Sequence, residues 1–136
     1  MRILTDTNIL ISALLYPESN PNKALMFAAE HHNLVLTDYN ISELRSVTKR
    51  KFPHKESDVD VLLSKLTYEL IPAPLSPNKL MSDPKDAPIL NAAIVSGIDI
   101  IVSGDKHFLN TDIEYPEVMS VAEFIKIMKI GYINNR

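Results

Sequence analysis

One short segment, Ile98-Asp99-Ile100-Ile101-Val102, constrains the fold more than any other part of the sequence. It is almost continuously apolar and β-branched, which is typical of a central parallel strand buried on both faces. Ser103-Gly104-Asp105 follows at once and ends the apolar run. Parallel neighbours of such a strand are joined to it by long crossover connections, usually helices. The segment therefore predicts an α/β fold.

The rest of the chain alternates between short apolar runs and helical periodicities. Strands are predicted at about 2–5, 34–36, 70–71, 98–102 and 117–119. Helices are predicted at about 8–15, 22–31, 37–51, from Ser57 with apolar positions as far as Leu66 and Leu70, at 87–96, and from 121 to a stop at Gly131. Strands separated by helices indicate a parallel sheet with right-handed crossovers. We expect a three-layer α/β/α fold with four to five strands, in one domain at 1–130 with a loose tail at 131–136.

Composition excludes several classes of protein. With no cysteine among 136 residues, the chain has neither disulfides nor thiolate metal ligands. We expect no signal peptide, because Asp6 falls where its apolar stretch would lie, and no membrane span, because the longest apolar run, at 9–15, is too short. A cytoplasmic location is the expectation. The net charge of −3 argues against a nucleic-acid partner unless bound metal changes the local charge.

Four acidic residues are predicted to meet at one edge of the sheet. Asp6 follows the first strand and Asp105 follows the Ile98–Val102 strand. Glu43 lies in the first turns of the helix after the second strand, and Asp86 opens the helix before Ile98. Four carboxylates that close cannot all remain ionised without a cation. Because Mg²⁺ and Mn²⁺ prefer oxygen ligands, the pattern predicts a divalent-metal site.

Each acid also has a structural interpretation. Asp6 could be a helix-start carboxylate favoured by the helix dipole. Glu43 could be solvated or could form a capping box with Asn40. Asp86 could cap a helix, and Asp105 could be a turn residue. The order of all four along the chain favours the metal site.

A basic run follows Glu43 on the same predicted helix. Arg45, Lys49 and Arg50 are the residues expected to contact the phosphate backbone of a nucleic acid. Such contacts would position the nucleic acid rather than distinguish its bases. The alternative is an ordinary solvated helix face.

Four motifs together resemble those of the PIN-domain nucleases. They are, in order, Leu4-Thr5-Asp6-Thr7-Asn8-Ile9-Leu10-Ile11-Ser12-Ala13, Ser42-Glu43-Leu44, Asp83-Pro84-Lys85-Asp86-Ala87-Pro88-Ile89-Leu90, and Ile101-Val102-Ser103-Gly104-Asp105-Lys106. The resemblance extends from Ile3 to about Phe124. It is strongest to the members regarded as toxins of toxin–antitoxin pairs. No single motif is specific, but their joint order is.

The resemblance implies a metal-dependent endoribonuclease in which Asp6, Glu43, Asp86 and Asp105 hold Mg²⁺ or Mn²⁺ and carry the catalysis. It also implies an RNA substrate, a cognate antitoxin protein and pairing as a homodimer.

The polar residues beside the acids have roles implied in the same way. Asn8 and Ser103 match positions that orient a ligand or contact a phosphate. Many members carry a further acid where this chain has His107, so the number of ions, one or two, stays open. His107 could contact phosphate instead.

Two other classes of function compete with the nuclease. One is a catalytically silent PIN-like module that binds RNA or a protein partner, which His107 in place of an acid favours. The other is a receiver-like domain of flavodoxin type, which also keeps Mg²⁺ near a strand-end aspartate. That class requires an acidic pair after the first strand, and here Asp6 stands alone.

Overall fold

The computed structural model describes residues 1–73, 96–104 and 116–134, with side chains as far as Met128. Three predicted site residues, Asp86, Asp105 and His107, lie outside the described residues, as does nearly all of the helix predicted at 87–96.

A parallel sheet forms the centre of the molecule. In the described ranges it has five strands: β1 (Arg2–Thr5), β2 (Asn33–Thr37), β3 (Tyr68–Ile71), β4 (Ile100–Val102) and β5 (Glu117–Met119). Their order across the sheet is β3-β2-β1-β4-β5, and every neighbouring pair is parallel. The predicted parallel sheet is therefore confirmed, although β4 begins at Ile100 rather than Ile98.

Helices connect and flank these strands. The described ones are α1 (Thr7–Leu15), α2 (Asn20–His31), α3 (Asp38–Lys51), a 3₁₀ turn (Pro53–Lys55), α4 (Glu56–Ser64) and α5 (Val121–Asn134). The prediction that Leu66 and Leu70 belong to the fourth helix is wrong. That helix ends at Ser64, and Leu70 lies in β3, where it is 55% exposed. The apolar spacing continued by coincidence across the turn into the strand.

The last helix also differs from its predicted end. It continues through Gly131 to Asn134, so the predicted stop at Gly131 is wrong. A glycine inside a helix costs only about 1 kcal/mol relative to alanine, which a packed helix tolerates.

Both faces of the sheet are buried. Ile3, Leu34 and Leu36 point into one core, which contains side chains from each of the five described helices. Leu4, Val35 and Ile101 point into a second core on the opposite face, and each is 0% exposed. Two apolar faces explain the nearly unbroken apolar strands and agree with a three-layer α/β/α fold. No helix within the described ranges has the length and apolar character needed to cross a membrane.

The strand order determines where ligands bind. From β1 the sheet extends to β2 and β3 on one side and to β4 and β5 on the other. In open α/β sheets, ligands bind at the carboxyl ends of the strands where the order reverses. That point lies between the ends of β1 and β4. Flavodoxin-type domains have the order 2-1-3-4-5, so the receiver-like alternative is wrong.

Candidate metal centre

Buried polar side chains concentrate at this point of the sheet. Six of the seven buried polar or charged residues in the described part of the chain follow or end β1, β2 and β4. They are Thr5, Asp6, Thr7, Thr37, Asn40 and Ser103. The seventh, Thr48, donates its hydroxyl to the Leu44 carbonyl within α3, at 2.6 Å. Burying polar groups is unfavourable unless they are hydrogen-bonded, so this concentration marks a site that the fold keeps polar.

Asp6 is fixed by contacts to two elements. It is 2% exposed and caps α1, with its Oδ1 accepting the Ile9 backbone N–H at 2.9 Å. Its Oδ2 accepts the hydroxyl of Ser103, 97 residues away in sequence. Its own N–H donates to the Val102 carbonyl at 3.3 Å. Asp6 is thus a helix cap, as the structural interpretation held, and it also lies within the polar cluster.

Ser103 reaches Asp6 from the end of β4. The residue is 0% exposed, and its backbone N–H donates to the Met119 carbonyl of β5 at 3.0 Å. This backbone hydrogen bond fixes the position of Ser103, whose hydroxyl donates to the Asp6 carboxylate. The orienting role of Ser103 stays a prediction, and this hydrogen bond is compatible with it.

The first turn of α3 is joined to the same cluster. Thr37 caps the helix in a capping box with Asn40, whose backbone N–H donates to Thr37 Oγ1 at 2.9 Å. Asn40 Oδ1 accepts the Thr37 backbone N–H at 3.0 Å, and its Nδ2 donates to Thr7 Oγ1 at 3.1 Å. The alternative that paired Asn40 with Glu43 in a capping box is therefore wrong, because Thr37 is the cap residue.

Glu43 lies one helical turn after Tyr39. Its side chain is partly buried, and its Oε2 accepts the Tyr39 hydroxyl at 3.1 Å. Asp6 and Glu43 are the two predicted metal ligands within the described ranges. No group of three or more acids or histidines able to hold an ion occurs within those ranges alone.

The oxygen donors at the site fit a hard divalent ion. The Asp6 carboxylate and the Ser103 hydroxyl offer only oxygen atoms, as does the Glu43 carboxylate in the first turns of α3. Oxygen ligands suit Mg²⁺ or Mn²⁺ better than softer metals. In addition, Thr5 Oγ1 is buried without a hydrogen-bond partner among the described residues. The lone pairs of this buried oxygen can therefore accept a hydrogen bond or contact an ion at the end of β1, beside Asp6.

Other predicted residues are exposed and so are not part of this buried cluster. Asn8 follows Thr7 on α1, and its side chain is exposed. Arg45 forms a 2.7 Å ion pair with Asp60, and both side chains are largely exposed. Lys49 and Arg50 are exposed in the last turn of α3, so Lys49 lies about 9 Å beyond Glu43 along the helix axis.

Four residues of the polar cluster or its support were not predicted from the sequence: Thr5, Thr7, Thr37 and Tyr39. One signal was available for Thr37, because a threonine three positions before a residue with a side-chain acceptor is the pattern of a capping box. The pairing of Thr7 with Asn40 had no local signal, since it depends on the packing of α1 against α3.

The sequence matches the model of the PIN domain family over residues 2–107. The chain belongs to the PIN domain family. Two solved structures share its fold at low sequence identity. The first, VapBC2 from Rickettsia felis bound to a DNA fragment from their promoter, has a TM-score of 0.68 and 20% identity, covering 88% of this chain and 98% of that chain. The second, DNA-bound VapBC from Salmonella typhimurium, has a TM-score of 0.67 and 13% identity, covering 89% and 98%. A search of curated proteins found no match.

Proposed function

We propose that this PIN-domain chain is an endoribonuclease that uses Mg²⁺ or Mn²⁺ to hydrolyse RNA phosphodiester bonds, and that it acts in the cytoplasm. The observation that carries the proposal is the buried polar cluster at the carboxyl ends of β1, β2 and β4, with Asp6 at its centre. Membership of a family whose proteins are typically nucleases supports the same reaction.

In this proposal Asp6, Glu43, Asp86 and Asp105 hold the ion. When bound, it would lower the pKa of a water molecule and offset charge on the phosphodiester. The Ile9 N–H and the Ser103 hydroxyl each engage one oxygen of Asp6 and so fix the plane of its carboxylate. Asn8 and His107 remain proposed phosphate contacts, and His107 leaves open one ion or two.

The RNA backbone is proposed to contact Arg45, Lys49 and Arg50. Lys49 and Arg50 are exposed, while Arg45 is paired with Asp60. Because an exposed ion pair is worth little, Arg45 can exchange Asp60 for a phosphate at small cost. With a net charge of −3, the chain needs such a local basic surface to approach RNA.

We further propose that the chain is the toxin of a toxin–antitoxin pair. The structural matches are VapBC assemblies, which supports a protein partner. A groove between α1, α2 and α4 offers that partner an apolar contact through Leu14, Met26 and Val61, the last 51% exposed. Lys55, Lys65 and Asp58 line the same groove, and Lys55 lies 3.6 Å from Asp58. The one excess positive charge of these three residues favours an acidic partner segment. A homodimer is also proposed from the family resemblance.

The direct test is RNA cleavage in Mn²⁺ and in EDTA by the chain and by two aspartate variants. Asp6→Asn should abolish the Mn²⁺-dependent cleavage. Asp38→Asn should not, because Asp38 is exposed at the same edge of the sheet, outside the buried cluster, and its Oδ1 accepts the Ala73 N–H at 2.9 Å. A melting temperature raised by Mn²⁺ without cleavage would instead favour the silent module.

A further inference from the structure

Two consecutive residues at the start of α3, Tyr39 and Asn40, contact different parts of the molecule. We propose that Tyr39 is a positioning residue, whose hydroxyl holds the Glu43 carboxylate in the orientation in which it binds metal. The inference rests on the proposed function, because it takes Glu43 to be a metal ligand.

The hydrogen bond joins residues on one face of the helix. Positions four apart lie above one another, and the Tyr39 hydroxyl donates to Glu43 Oε2 at 3.1 Å in a partly buried setting. A free glutamate side chain samples several rotamers, whereas a hydrogen bond to a carboxylate is strong enough to favour one of them.

The Tyr39 ring has a position that does not depend on Glu43. It packs against the second apolar core, which includes Leu4, Val35 and Ile71. These side chains belong to β1, β2 and β3, so the sheet itself locates the hydroxyl. Glu43, which is only partly buried, is therefore the side chain that the hydrogen bond orients.

Asn40 fixes the backbone from which both side chains start. It is 0% exposed, and its amide connects the first turn of α3 to Thr7, the residue after Asp6. The helix that carries Glu43 is thus held against the helix that Asp6 caps. With the backbone fixed by Asn40, loss of the Tyr39 hydroxyl should leave α3 in place and change the orientation of the Glu43 side chain.

The test measures Mn²⁺ affinity of the whole chain from the electron paramagnetic resonance signal of free Mn²⁺, with no need for RNA. Tyr39→Phe removes only the hydroxyl. Tyr68→Phe is the matched control, because Tyr68 is a partly buried tyrosine at the amino end of β3. Loss of a residue that supports a metal ligand typically weakens binding 10–100-fold, so we expect about a tenfold loss for Tyr39→Phe and none for Tyr68→Phe.

Two further readouts separate positioning from a general loss of structure. In EDTA, the melting temperatures of the two tyrosine variants should agree closely. With RNA and saturating Mn²⁺, Tyr39→Phe should lower kcat while KM for RNA stays unchanged. Added to Glu43→Gln, Tyr39→Phe should cost no further Mn²⁺ affinity, because it acts through the residue already altered.

Equal Mn²⁺ affinity in Tyr39→Phe and Tyr68→Phe would overturn the inference while leaving the proposed function intact, provided that Glu43→Gln weakens binding. A second tenfold loss on the Glu43→Gln background would also overturn it, since Tyr39 would then act by another route. A wild-type chain that binds no Mn²⁺, or an unchanged affinity in Glu43→Gln, would contradict both the inference and the proposed function.

Discussion

The two ends of α3 differ in how their side chains are held, although the sequence made both ends candidates for function. Side-chain hydrogen bonds hold the first turn. Asn40 accepts the Thr37 N–H and donates to Thr7, and the Tyr39 hydroxyl donates to Glu43. The last turn carries the exposed cations Lys49, Arg50 and Lys51. One end is organised by buried contacts and the other by charge.

The difference shows how far charge alone can assign a function. Cations in the last turn of a helix are favoured by its dipole, which explains their presence without any ligand. Arg45, earlier in α3, already has a partner in Asp60. The helix dipole does not explain the buried hydrogen bond between Asn40 of α3 and Thr7 of α1. Burying these polar groups is costly unless they are paired with each other. The first turn is therefore the better guide to the site.

Among substitutions along α3, Glu43→Gln should have the largest effect. It keeps the size of the side chain but removes a charged ligand, so Mn²⁺-dependent cleavage should fall by more than the roughly 100-fold seen for loss of a supporting residue. Lys49→Ala, at the other end of α3, should lower the rate only a few-fold through weaker RNA binding. Single-turnover cleavage assays compare the two. Equal losses would remove the distinction between the ends of the helix.

Substitutions at the two ends of α3 should also differ in their effect on the free energy of unfolding. Asn40→Leu leaves the buried groups of Thr37 and Thr7 without their partner, which should lower the free energy of unfolding by about 2–3 kcal/mol. Lys49→Ala, on the exposed end, should change it by less than about 0.5 kcal/mol. Urea denaturation in EDTA measures both without a contribution from metal. A change below 1 kcal/mol for Asn40→Leu would contradict the role given to the first turn.

The basic residues should affect RNA affinity and its dependence on salt. Replacing Arg45, Lys49 and Arg50 by serine should weaken binding about tenfold and reduce the salt slope by about 2, if all three contact phosphates of a single strand. Mn²⁺ affinity should not change. The control replaces Lys23 and Lys126, two exposed cations on other helices. If the control reduces the salt slope equally, RNA binding depends on the overall charge of the protein rather than on the basic residues of α3.

The smallest effect concerns His32, which lies between α2 and the amino end of β2, whereas the polar cluster lies at the carboxyl end of that strand. Burial, followed by the neighbouring Met1 ammonium and His31, lowers the pKa of His32 below its usual 6.5. The unfolded chain therefore binds a proton more readily, and stability should fall as pH decreases below about 6.5. His32→Gln should lose less stability than the wild type between pH 7 and 5.5. The exposed His54→Gln serves as the control, and identical pH profiles for the two variants would refute the assignment.

Much of the fold followed from local patterns. β1, the end of α3 at Lys51 and the parallel sheet were predicted because apolar runs and helix periods report burial directly. Leu70 was assigned to a helix as well as a strand, because a spacing of four continued from Leu66 across a turn. Strand order was not predicted, since it depends on which apolar faces pack together rather than on any one segment.

The ends of the predicted strands indicated which residues lie at the site, but they did not indicate the contacts between them. Asp6 and Ser103 were placed at one edge by the strands before them, but their hydrogen bond spans 97 residues and depends on β1 pairing with β4. The contact between Arg45 and Asp60 similarly depends on how α4 packs beside α3. Tyr39 gave no signal of its own, because an aromatic residue near a helix start is usually core.

The proposed function depends on a divalent ion bound through Asp6 and Glu43 at the polar cluster at the ends of β1 and β4. A crystal structure of the chain soaked in Mn²⁺, with anomalous data collected to locate the metal, would show whether such an ion binds. We expect an anomalous peak bonded to a carboxylate oxygen of Asp6 and to one of Glu43, and the same map counts the ions. Full soaking with no peak at Asp6, or with Mn²⁺ bound only elsewhere on the molecule, would contradict it.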